Sequence, residues 1–199
     1  MGAENVFTAS IAALWLAPVG TTAPEGPTVA MPTGWRNVGL FTPDSLSWSG
    51  DPEFSETEAH QSPYPVKVWQ TKDAASLEVE LLEWSALNFQ AVYGGGTIEE
   101  VTPEGGGAKY YKYTPPSIGT RSEIAAVLEL GDGTRRMRRI IPRCMQREGV
   151  QQELSRDESA TLPLNLSVLG SDVGAAFYDV FNEAFASFAP PSGGGGGGA

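Results

Sequence analysis

Leu77-Glu78-Val79-Glu80-Leu81 alternates apolar and acidic residues without a break, and Glu83–Tyr93 follows it with Trp84, Leu87 and Ala91 at helical spacing before Gly94-Gly95-Gly96. A period of two puts Leu77, Val79 and Leu81 on one face of a strand and Glu78 and Glu80 on the other. The spacing of about 3.6 that follows predicts a helix, and three glycines end it. The unit is a half-buried strand running into one helix.

The rest of the body repeats the strand half of that pattern. Gly34–Phe41 reads as a strand that turns at Thr42-Pro43-Asp44. Leu46 and Trp48 then alternate with Ser45, Ser47 and Ser49. Phe54–Ala59 and Val66–Gln70 are short extended candidates on either side of a Pro-containing loop, Gln61–Pro65. Thr97–Val101 and Ala108–Thr114 flank Gly105–Gly107 and predict a hairpin. Glu123–Leu130 and Thr134–Pro142 flank Gly131-Asp132-Gly133 and predict another. Cys144–Ser155 and Thr161–Leu169 are further strand candidates. Phe177, Phe181, Phe185 and Phe188 recur at steps of four, four and three, so Val173–Phe188 reads as an amphipathic helix. Eight to ten short strands with one clear helix predict a mainly β fold, a β-sandwich or partly closed barrel with a flanking helix.

The ends differ from the body. Ala12–Val19 is apolar, Thr8–Leu16 fits a short helical or strand turn, and Pro24, Pro27 and Pro32 then interrupt the chain. Residues 1–34 read as an extended arm, 35–170 as the β domain, 171–189 as a C-terminal extension and 190–199 as a flexible Gly-rich tail. On this reading, removing residues 1–33 leaves a folded body.

The totals narrow the function. The chain has 199 residues, 41% hydrophobic and 19% charged, with 24 Gly and 15 Pro, which suits a turn-rich β protein. Its net charge is −11, unfavourable for gripping nucleic acid and suitable for a wall over which DNA slides. Residues 111–150 run against the trend, with eight Lys/Arg against four Asp/Glu. On a strand, Arg135, Met137 and Arg139 face one way and Arg136 and Arg138 the other, so no single basic stripe forms. Pairing of these arginines with acidic strands of the same or a neighbouring copy is the expectation. No run approaches the ~18–20 apolar residues of a membrane span.

Catalytic equipment is sparse. His60 is the one histidine and Cys144 the one cysteine, which excludes an internal disulfide and ordinary histidine metal clusters. The single cysteine fits a cytosolic or non-redox setting. The pairs Glu56/Glu58, Glu78/Glu80, Glu99/Glu100 and Asp157/Glu158 sit side by side instead of facing each other across a cleft, as glycosidase chemistry requires. None of the glycine clusters is followed by Lys-Ser/Thr, so none is a phosphate loop. No catalytic, metal or cofactor residue is assigned, and the chain is not expected to be an enzyme.

Four segments in order carry a resemblance: Leu14–Pro24, Gly34–Gly39, Val66–Gln70, and the strand-helix unit Leu77–Tyr93 closing on Gly94. Over roughly residues 8–170 the chain resembles the major tail tube proteins of long-tailed bacteriophages, especially those of actinobacterial hosts. The resemblance implies a non-catalytic β-sandwich subunit. Six copies close into a ring whose inner strands form a continuous barrel, and rings stack into a hollow tube conducting phage DNA without sequence-specific binding. The N-terminal arm, a long loop between early strands and the C-terminal end bridge successive rings. Implied partners are further copies of the chain and the tape measure, tail tip and terminator proteins. No membrane is involved, and the setting is the virion tail, assembled in the host cytoplasm.

On that basis Glu56, Glu58, Glu78 and Glu80 are candidates for lining the lumen. Trp15, Leu16, Val19, Tyr64 and Trp69 are candidates for contacts between subunits. The alternative from another class is a surface β-sandwich binding a receptor or carbohydrate, with Tyr110, Tyr111, Tyr113 and Trp69 as an aromatic platform.

Overall fold

The computed structural model describes residues 6–185 other than Glu153, Glu158 and Val173. Those residues form ten strands and one helix. The strands are β1 (Ile11–Pro18), β2 (Arg36–Asn37), β3 (Ser47–Thr57), β4 (Lys67–Leu81) and, after helix α1 (Ala86–Tyr93), β5 (Thr97–Val101) and β6 (Tyr110–Thr114). Then come β7 (Ile124–Gly131), β8 (Arg136–Gln146), β9 (Leu162–Val168) and β10 (Tyr178–Phe181). All pairings are antiparallel. The main sheet runs β2-β1-β7-β8-β9-β4-β3, with β10 as a branch on β8, and β5-β6 is a separate hairpin.

The sheet folds over on itself. One core joins Leu14 and Leu16 of β1 with Leu77, Val79 and Leu81 of β4 and Leu162, Leu164 and Leu166 of β9, although β1 and β4 are far apart in the strand order. The fold is therefore a sandwich whose layers are joined by β8 on one side and touched on the other by the segment after β2, which bridges to β4 at Phe41↔Leu81; it is no closed barrel. The crossing is made by β8. Its first half pairs with β7 and β10, and its end pairs with β9 at Cys144↔Val168 through Gln146↔Leu166. Between the pairs Ala126↔Ile141 and Ile124↔Cys144, two residues of β8, Pro142 and Arg143, stand against one of β7, Ala125. This bulge contains Pro142, which donates no ladder hydrogen bond and so suits a point where a strand leaves its partner.

The alternation read at Leu77–Leu81 holds, with three buried aliphatics and two exposed glutamates. The helix holds as well. Ser85 caps it by accepting from the Asn88 backbone N–H at 3.1 Å, and Gly94 ends it at a φ of 75°, which an L side chain tolerates poorly. Buried Asn88 donates to the carbonyls of Val38 and Glu83 at 2.7 and 2.8 Å, fixing α1 against the entry to the body. Both predicted hairpins form, as β5-β6 and β7-β8.

Three expectations are corrected. Ala12–Val19 is no arm outside the body: Ile11–Pro18 is β1, paired with β7 along its whole length and with Leu14 and Leu16 in the core. Phe54–Ala59 and Val66–Gln70 are not separate short strands, because they belong to one long hairpin, β3-β4. Val173–Phe188 is no helix over its described part, since Tyr178–Phe181 is a strand on β8 and Phe177 packs against Trp48 with ring centroids 4.8 Å apart. Phe188 and the Gly-rich tail lie outside the described residues.

Residues 19–34 are a strap across the outer face of β1, β7 and β8. Arg138 holds it, at 4% exposure. It donates to the carbonyls of Gly26 and Val29 at 2.6 and 2.7 Å and pairs with Glu129 at 3.1 Å. Trp35 closes the strap by donating from its indole N–H to the Thr22 carbonyl at 2.8 Å. Arg138→Met is expected to cost about 3 kcal/mol, because two strap carbonyls lose a charged donor and Glu129 loses its closest cation. Urea unfolding measures the loss, and limited proteolysis should first cut within residues 19–34.

Candidate assembly surfaces

The two outer faces of the sandwich differ in chemistry. Beneath the strap the face is apolar, built from Ala17, Trp35, Ala125, Val127 and Ile140. The outer face of β9-β4-β3 is polar. Directly paired residues share a face, so Ser47↔Glu78↔Asn165 and Ser49↔Ser76↔Ser167 form a polar carpet turned from the core, which Asp51 continues opposite Ala74. The Ser49 and Ser76 hydroxyls lie 2.7 Å apart, and Glu80 accepts from the Thr42 hydroxyl at 3.5 Å. Two adjoining hollows open here. One is lined by Ser45, Glu78, Glu80, Glu148 and Asn165 among others, and the next by Thr42, Glu80, Gln151 and Thr161; neither has a Lys or Arg in its lining.

The β3-β4 hairpin supplies a second surface. From Gly50 to Thr57 on β3 and from Lys67 to Asp73 on β4 the residues are exposed apart from half-buried Ser55, so this half of the hairpin projects from the body. It carries Phe54, Val66, Val68 and Trp69, with Tyr64, 76% exposed, in the tip. A lone two-stranded ribbon is marginal in water, and so many uncovered apolar residues are unusual for one. Among the described residues, the outer edge of β3 has no strand partner.

The candidate residues divide accordingly. Glu78 and Glu80 lie on the polar face. Glu56 is paired with Val68 far along the hairpin and, nine positions from Ser47, points to the opposite side of the ribbon; Glu58 follows in the tip. The four glutamates are therefore not one wall. Tyr64 and Trp69 share the hairpin, and Val19 is exposed at the start of the strap. Leu16, at 5% exposure, is spent on the subunit's own core, and Trp15 packs partly buried beneath the strap. The aromatic platform does not assemble: Tyr110 and Tyr111 are exposed, while Tyr113 turns inward onto Phe89 and Tyr93 and donates to the Gly95 carbonyl at 2.8 Å. The serines of the polar face carry no charge and form no acidic pair, so charge patterning does not reveal them. Their signal was the alternation of Ser45, Ser47 and Ser49 with Leu46 and Trp48.

The arginine tract is paired within the subunit. Arg136 and Arg138 meet Glu129 on the strap side, and Arg139 meets Asp179 with bonds of 2.8 and 2.7 Å on the other. That is the division expected from strand alternation. Arg143 binds Glu123 through two bonds and holds its carboxyl below the usual range. Cys144 is buried beside the bulge, where desolvation pushes its thiol up to about 12. A neutral, enclosed thiol is a packing residue and a poor nucleophile. His60 sits apart in the exposed hairpin tip.

A comparison with protein-family models matches the family described as phage tail tube protein over residues 1–191. No curated protein matches the chain. The mainly β, antiparallel fold is consistent with that match, and the chain belongs to the phage tail tube protein family, the structural proteins of the virion tail.

Proposed function

We propose that six copies join side by side into a ring, with the polar face of β9-β4-β3 turned inward, and that rings stack into a tube through which phage DNA passes. The observation that carries this reading is the outer edge of β3: an eleven-residue strand at the end of the sheet, with no partner among the described residues. Soluble monomers cover or blunt such edges, and a closed ring removes them by pairing copies. The lining follows from the same placement. Serines, Asn165, Glu78 and Glu80 present hydroxyls and negative charge to a polyanion, so phosphates are neither bound nor trapped. The projecting hairpin, with Tyr64 and Trp69, reaches the next ring. Tape measure, tail tip and terminator proteins meet the two ends of the stack, which is assembled in the host cytoplasm.

Electron microscopy of the concentrated protein tests the assembly: rings and hollow filaments are expected, and a solitary particle at every concentration refutes it. The lining has its own test. Glu78→Lys with Glu80→Lys should leave tubes of normal width, because both side chains point away from the core. Infectivity of phage carrying the pair should fall more than roughly tenfold, as new cations in every subunit hold the passing phosphates. Unchanged infectivity would place this face elsewhere than the lumen.

A further inference from the structure

We infer that the two ends of the described chain form one clasp over the β7-β8 turn, and that this clasp keeps β10 on the edge of β8. Loosening either end then loosens the other and bares β8 at Met137–Ile140. The clasp is built around Arg135. Its guanidinium lies 5.5 Å from the ring centre of Phe7 and 5.7 Å from that of Phe185, and the two rings are 5.2 Å apart. Arg135 also donates to the Val6 carbonyl, while Asp132 in the turn fixes its orientation through bonds of 2.9 and 2.7 Å to the backbone N–H and Nε. Phe181, the last residue of β10, extends the cluster at 5.2 Å from Phe185.

Cation–π attraction and edge-to-face ring packing depend on all parties being present. Phe7 and Phe185 are each other's cover as well as covers for Arg135. Withdrawing one takes a ring contact from the other and from the guanidinium.

The strand that depends on this cluster is short. β10 pairs with β8 over four residues, Tyr178↔Ile140 to Phe181↔Met137. Its further anchors include Val180 in the apolar cluster beneath the strap, Phe177 on Trp48 just before it, the Arg139–Asp179 pair at one position and Asn182 beyond its end. Asn182 donates to the Thr134 carbonyl at 2.8 Å and accepts from the Arg136 N–H at 3.1 Å. A four-residue edge strand belongs to the parts of a protein that open locally first. When it leaves, the second edge of β8 ahead of the bulge is left with free N–H and C=O groups, which an extended segment of another copy can pair. β10 is thus a self-cap, and the N-terminal residues hold its catch.

Hydrogen exchange on the dilute full-length chain tests this independently of tube formation. Phe7→Ala should accelerate exchange of the Tyr178–Asn182 amides roughly tenfold, although the substitution is at the opposite end of the sequence. Arg135→Lys keeps a cation for Asp132 but lacks the flat guanidinium that lies against the rings, and should accelerate Tyr178–Asn182 and Ser10 together. Amides of β4 and β9 should keep wild-type rates in both variants. The clasp is overturned if Tyr178–Asn182 is unaffected by either substitution, or if β4 and β9 accelerate to the same extent.

Discussion

Deleting residues 1–33 is expected to abolish cooperative folding. The removed segment includes β1, an inner strand of the sheet flanked by β2 and β7. Its loss opens eight cross-strand positions from Ile11↔Gly131 to Pro18↔Ile124 and takes Leu14, Leu16 and Ala17 from the core. Truncation of a single buried leucine costs about 2–5 kcal/mol. Two leucines and one strand's ladder therefore exceed the ~5–15 kcal/mol that holds a domain of ordinary stability. The strap goes as well, leaving Trp35 without Thr22 and Arg138 without its two carbonyls. Circular dichroism during heating should show no sigmoidal transition. A truncated chain that melts like wild type would mean that β1 is dispensable. Deleting residues 1–10 instead should leave melting cooperative, since it stops before β1.

Shortening the hairpin has the opposite profile. Asp51 pairs with Ala74 where the projecting half begins, so Pro52–Asp73 can be replaced by Asn-Gly, which favours a tight two-residue turn. Trp48, Leu77, Val79 and Leu81 stay in place, and the melting temperature should remain within about 5 °C of wild type. Stacked filaments should disappear. The deletion takes Phe54, Tyr64, Val66, Val68 and Trp69, each able to contribute roughly 1.5–3 kcal/mol on full burial against another copy. Long filaments formed by the shortened protein would remove the hairpin from the stacking contact.

These two results bear on what a sequence makes visible. Leu77–Leu81 and Leu162–Val168 were legible because each has one face in the core and one in water, which writes an alternation. β1 has no such signature. Leu14 and Leu16 enter the core while Trp15 and Ala17 pack beneath the strap, so both faces are apolar and the strand reads as a continuous hydrophobic run. With prolines following, such a run reads as a detachable arm. The outer hairpin fails for the converse reason: neither face is covered, no apolar period exists, and only pairing with its partner reveals its length. The phenylalanines at 177, 181 and 185 mimic a helical period although the chain is extended there: Phe177 packs on Trp48, while Phe181 at the end of β10 and Phe185 join the cluster around Phe7. Of the candidate surfaces, Glu78 and Glu80 were readable from alternation. The serine carpet beside them needed the register of three strands.

One strand, β8, belongs to both layers of the sandwich, and the bulge at Pro142–Arg143 is where it passes between them. In the proposed tube, layers that met only through side chains would let the inner wall slip past the outer one when the filament bends. A backbone running through both converts that slippage into tension along covalent bonds, which yield far less than packed side chains do. In the proposed tube, flexing would then fall to the junctions between rings, and the bore of each ring would keep its circular section around a curve.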